Sequence, residues 1–100
     1  MVFEWDETKR RECIAKHRVD LAYVAQIFLG QTLTEIDSRF DYGETRSLTI
    51  GRVDGEYFVV VHTKRGEVTR LISAWKGGRD DQRRYQESLA GGSDRDEGEG

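Results

Sequence analysis

The sequence predicts an α+β fold, with helices before and after a small antiparallel β-sheet. Three observations predict it. Residues Arg46 to Ala74 read as three β-strands joined by two tight turns. The stretch before them holds two aspartates at N-cap positions, each followed by a helix-forming run. A charged, proline-free stretch from Arg79 to Ala90 then reads as a closing helix.

Taken in order, Val2 to Trp5 alternates apolar and polar residues, as an edge strand or a core plug would. Asp6 caps a helix to about His17, with Lys9, Arg10, Glu12 and Lys16 toward water. Asp20 caps a second helix, with Leu21, Val24, Ala25 and Phe28 at core spacing and Gly30 as its C′ residue. Gln31 to Ile36 is β-prone and could add a strand, and Ser38 to Glu44 is a polar loop. In the central ribbon, Asp54-Gly55 signals a type I′ hairpin. That turn sets Ile50 opposite Val59, Thr49 opposite Val60 and Leu48 opposite Val61. Lys64-Arg65-Gly66 fits a three-residue loop, which sets His62 opposite Val68, Val59 opposite Leu71 and Val60 opposite Arg70.

Side chains on a strand alternate between faces. One face is therefore expected to carry Leu48, Ile50, Val59, Val61 and Leu71 and to need a cover of helices. The other is expected to carry Ser47, Thr49, Gly51, Phe58, Val60, His62, Val68, Arg70 and Ile72, with the chemistry. Trp75 continues the parity of Leu71 and is expected to close the end of the core; its alternative role is a stacking platform for an unpaired base.

With 100 residues and no proline the chain predicts one domain over residues 1–90, then a disordered acidic tail over 91–100. The net charge of −3 is the charge of that tail, since the first 90 residues hold 15 acidic and 15 basic side chains. Charge is polarised within the body: Met1 to Glu44 carries −3, whereas His62 to Arg84 carries +4. A basic second half suits nucleic acid or an acidic partner, although solvated faces explain it as well. One cysteine, Cys13, excludes an internal disulfide and the common zinc modules, and it reads as a small core residue. No apolar run approaches membrane-span length. Neither metal nor cofactor is expected, and the default setting is cytoplasmic.

FEWDETK at the start, Lys16-His17, Gly43-Glu44 with Arg46, and the run LTIGR…VVVHTKRG…TRLISA together resemble the BrnT toxins of type II toxin–antitoxin pairs. The resemblance covers nearly all of Phe3 to Glu87. It implies a RelE-like fold and a metal-independent endoribonuclease that acts on mRNA and arrests translation. It further implies neutralisation by a BrnA-like antitoxin, through which operator DNA is engaged only indirectly. The chain departs from the family pattern at Trp75, where an arginine is usual, and at Asp81 and Gln82 in the last helix. These departures support an alternative, a weakened toxin homologue that serves as an antitoxin-binding or co-repressor module.

Metal-free RNA cleavage needs a group to take the 2′-OH proton, one to protonate the leaving 5′-oxygen, and cations on the phosphate. Histidine suits the first two tasks and arginine the third. The candidate catalytic set is His17, Glu44, Arg46, His62 and Arg70. His17 could equally be a helix C-terminal cation, and His62 a cross-strand packing residue. Glu44 and Arg46 could be an exposed ion pair, and Arg46 would have to reach round the sheet end to join His62. The candidate RNA-binding residues are Lys16, Lys64, Arg65, Lys76 and Arg79, each of which solvation alone also explains.

Overall fold

The computed structural model describes the backbone of residues 1–39 and 41–99, with side chains through residue 90. Strand β1 (Val2–Trp5) leads into helix α1 (Glu7–His17) and the short helix α2 (Leu21–Val24), which continues as a 3₁₀ segment, Ala25–Leu29. Strands β2 (Leu33–Ile36), β3 (Ser47–Val53), β4 (Glu56–Arg65) and β5 (Val68–Lys76) follow, then helix α3 (Arg79–Glu99). The expected disordered tail falls on residues 91–100; α3 runs through the backbone to Glu99, and the side chains there lie outside the described residues.

Both helix starts are set by the expected aspartates. Asp6 accepts from the backbone N–H of Thr8 at 2.8 Å, and Asp20 from that of Ala22 at 2.9 Å. Arg10, expected to face water, donates Nε and Nη2 to Asp20 at 2.8 and 3.0 Å and ties α1 to α2. The switch to 3₁₀ geometry has a packing consequence. With three residues per turn, side chains three apart eclipse, so Leu21, Val24 and Ile27 line up and all are fully buried. Of the four expected core positions, Leu21 and Val24 are in the core, whereas Ala25 and Phe28 pack at its margin. Gly30 is extended rather than left-handed.

The sheet is mixed, in the order β1-β5-β4-β3-β2, with β1 parallel to β5 and the other pairs antiparallel. Asp54 and Gly55 have φ of 51° and 81°, as a type I′ turn requires, and the expected β3/β4 register holds throughout. The β4/β5 register does not. Gly66 (φ 64°) and Glu67 form a two-residue turn with positive φ at its first position, so Arg65 pairs with Val68, Thr63 with Arg70 and His62 with Leu71. The shift is odd, and an odd shift exchanges faces. A bulge between Val61 and His62 then returns Val59 to face Trp75.

The layers are correspondingly exchanged. Phe58, Val60, Leu71 and Ala74 meet Leu21, Val24, Ile27 and Cys13 in the main core, on the face that also bears Thr49, Gly51 and His62. Gly51 makes this contact possible: a Cβ there would lie 2.6 Å from that of Ile27. The opposite face, expected to be wholly roofed, is covered at one end by α3, whose Tyr85 packs on Ile50 and Val59. Trp75 closes this second cluster, not the one containing Leu71.

Candidate active site

The uncovered end of the second face carries the densest grouping of chemical side chains. Two adjoining cavities, about 260 and 170 Å³, share Lys9, Arg46 and Ile72 and so form one cleft. His17, Lys16, Glu12 and Ser73 line one part; Glu44, Arg65, Arg70 and Asp6 line the other. The α1 side chains reach it because residues 9, 12, 13, 16 and 17 lie on one stripe of a 3.6-residue helix. Cys13 is the buried member of that stripe, its Sγ 3.6 Å from the Ser73 hydroxyl.

Arg46 faces the cleft directly. It lies one residue before Ser47, whose partner is His62, so strand alternation sends it to the face opposite His62. No path round the sheet end is needed for Arg46 to reach the cleft, which lies on its own face. Its Nε donates to Glu44 Oε2 at 3.1 Å, and its guanidinium lies over the Tyr42 ring, 4.2 Å from the centroid. Glu44 accepts from Arg65 as well, at 3.5 Å. Arg70, directly opposite Glu4 on β1, donates to that carboxylate at 2.8 Å while lining the cleft. His17 ends α1 with its ring 6.3 Å from that of Trp75.

His62 is elsewhere, and the expected His62–Arg70 pairing on one face is overturned by the register shift. The imidazole is half-buried, edge-on to Phe28 at 5.1 Å, with Nε2 2.7 Å from the Thr49 hydroxyl. Thr49 in turn lies 2.7 Å from the Thr34 hydroxyl. Burial, and secondly the charge of Lys64, push its pKa below the ordinary histidine value. It borders another cavity, of about 490 Å³, with Thr45, Ser47, Thr63 and Lys64, and that cavity adjoins the cleft at Glu44 and Arg65, which line both.

Among the RNA-binding candidates, Lys16 and Arg65 line the cleft and Lys64 lines the His62 cavity. Lys76 is ion-paired to Glu56 at 3.5 Å, and neither it nor Arg79 lines any of the three cavities. Arg83 and Arg84 are engaged with acids as well, Arg83 with Asp80 and Glu87, Arg84 with Glu35 and Asp81.

Sequence reasoning missed Lys9, which touches both parts of the cleft. Its spacing from Lys16 and His17 was the available signal. It also missed the loop cluster of Asp37, Arg39 and Tyr42. Asp37 has a fully enclosed side chain and accepts from Arg39 Nε at 2.8 Å, Arg39 Nη2 at 2.9 Å and the Tyr42 hydroxyl at 2.9 Å. Arg39, the largest cause, holds the Asp37 carboxyl well below the usual carboxylate range.

Among the described residues no helix is long and apolar enough to cross a membrane, and no three His, Cys, Asp or Glu side chains gather where one metal ion could be held. No curated protein matches the chain. A family model described as the ribonuclease toxin, BrnT, of type II toxin–antitoxin systems matches residues 5–81, which include every residue of the cleft. The chain therefore belongs to the BrnT family of ribonuclease toxins, a family of type II pairs in which a toxin has an antitoxin partner.

Proposed function

We propose that this chain is a metal-independent, RelE-like endoribonuclease that cleaves mRNA, arrests translation in the cytoplasm and is neutralised by a BrnA-like antitoxin. The observation that carries the reading is one cleft with the His17 imidazole beside Glu12 on one wall and two carboxylates, Glu44 and Asp6, with three guanidiniums on the other. The phosphate sits against Arg46, with Arg65, Arg70, Lys9 and Lys16 supplying further positive charge. Bidentate guanidinium contacts favour the extra negative charge that develops on the phosphorane.

Glu44 takes the proton of the 2′-OH, whose oxygen attacks phosphorus. The P–O5′ bond breaks, and His17, in its protonated form, donates to the departing 5′-oxygen. The products are a 2′,3′-cyclic phosphate and a 5′-hydroxyl, and no co-reactant is required. His62 has a supporting role: its hydrogen bond to Thr49 satisfies a buried hydroxyl beneath the 3₁₀ segment.

The test is cleavage of end-labelled RNA by the purified chain in EDTA. Cyclic-phosphate ends from the wild type and their loss in His17→Gln are expected. Absence of cleavage, or undiminished cleavage by His17→Gln, overturns the reading.

A further inference from the structure

The Asp37–Arg39–Trp75 group is built more firmly than a surface loop requires. Asp37 engages two N–H groups of Arg39 through side-chain bonds, and the loop backbone N–H of Arg39 adds a third contact at 3.2 Å. A guanidinium has five N–H groups, of which Asp37 engages two while the Tyr42 hydroxyl also bears on the group, so its donors are not all spent on Asp37. The arginine side chain remains half exposed, with its guanidinium 5.4 Å from the Trp75 ring centroid. An apolar pair of the same shape could stabilise the loop as well as a salt bridge whose carboxylate is this enclosed, although removing one partner alone is costly. What the salt bridge does supply is a guanidinium held in one orientation, the requirement for planar recognition of a phosphate.

Its placement ties it to the cleft from both sides. Trp75, under Arg39, neighbours the His17 ring; Tyr42, on the same carboxylate as Arg39, lies under Arg46. A single strand whose reacting phosphate lies between His17 and Arg46 would thus pass Arg39 on leaving the cleft. We propose that Arg39, clamped by Asp37 over Trp75, binds a second phosphate of the RNA strand, adjacent to the one held by Arg46. The subsite rests on the ribonuclease reading above for its ligand class, but not on cleavage itself.

The experiment uses the full chain and an uncleavable 2′-O-methyl hexanucleotide, in versions with one phosphate at a time replaced by a neutral methylphosphonate. Binding is followed by fluorescence anisotropy. In the wild type, neutralising either of two neighbouring phosphates weakens binding roughly tenfold, the scale of a charge-assisted contact. Arg46→Ala abolishes the sensitivity at one of these positions and Arg39→Ala at the other, and each lowers the salt slope by about 0.7, one single-strand phosphate. Arg39→Lys, which keeps the charge but not the fork, gives a partial loss and serves where the alanine variant folds poorly. Insensitivity of Arg39→Ala and Arg39→Lys at every position, or loss at the Arg46 position alone, overturns the subsite, as does failure of the wild type to bind. A wild type that binds with the expected profile yet cleaves no RNA refutes the catalytic reading and leaves the subsite standing.

Discussion

Gly51→Ala tests which face of the sheet carries the helical layer. The new Cβ would lie 2.6 Å from Ile27 Cβ and 3.3 Å from both Ile27 Cγ2 and Thr32 Cγ2. Ordinary carbon–carbon contact begins near 3.5 Å, so Ile27 must retreat by about 1 Å. Because the obstructing atom is a β-carbon, no rotamer change relieves it; the 3₁₀ segment has to move as a unit. Ile27 is fully buried between Leu21, Val24 and the sheet, so that movement opens other contacts. Overpacking of this kind costs about 1–3 kcal/mol, and replacing a strand glycine with alanine returns about 0.5–1 kcal/mol. A net loss of about 1–2 kcal/mol corresponds to a fall in Tm of roughly 5–15 °C for a domain of this size. Thermal unfolding followed by circular dichroism reads it, with Gly30→Ala as the reference, since a Cβ there meets nothing within 4 Å. RNA cleavage per folded molecule should be unchanged, because Gly51 faces away from the cleft. Equal Tm values for the two variants would refute the seating of the 3₁₀ segment on Gly51.

His17→Gln should reduce cleavage by about 10²- to 10⁴-fold, the range for loss of a general acid, while shifting Tm little, as the side chain is exposed; a tenfold effect or less would assign proton transfer elsewhere. His62 has a depressed pKa in the folded protein, so the unfolded chain takes up the proton first as pH falls. Its stabilising effect is therefore complete above the unfolded value near 6.5 and is lost as pH drops from there through the folded pKa. Urea unfolding across that window in wild type and His62→Asn should show the variant with the flatter dependence, and parallel curves would contradict the buried neutral imidazole. Asp37→Asn should cost about 2–3 kcal/mol in the same assay, because Arg39 and the Tyr42 hydroxyl lose a charged acceptor. The Asp37 carboxyl is depressed, so that contribution is present above the unfolded value near 3.9 and disappears as pH falls below it; a variant with wild-type stability at pH 7 would show the clamp to be ornamental.

Local chemistry made several elements legible before any coordinates. Asp6 and Asp20 announce helix starts because their carboxylates satisfy backbone N–H groups within three residues. Asp54-Gly55 announces a hairpin because a type I′ turn demands positive φ twice in succession. With that turn in place, the pairing of β3 with β4 follows by counting. The likeness to a ribonuclease toxin family was readable from dispersed short motifs, and His17, Glu44, Arg46 and Arg70 were picked out with it; the structure brings these four to one cleft.

What tertiary structure decided was the sidedness of the sheet. Lys64-Arg65-Gly66-Glu67 is compatible with either a two- or a three-residue turn, and the bulge after Val61 leaves no mark in the sequence pattern. A central strand such as β4 is apolar on both faces, so alternation cannot say which side meets the helices. The choice falls to packing: Ile27 fits against Gly51, and Leu71 joins Trp5 and Cys13 in the main core. Once Leu71 is inside, Arg70 must point the other way, and His62 with its Thr49 partner is enclosed under the helices. Because adjacent side chains on a strand face opposite ways, a single odd shift in pairing separated the two residues that sequence reasoning had joined.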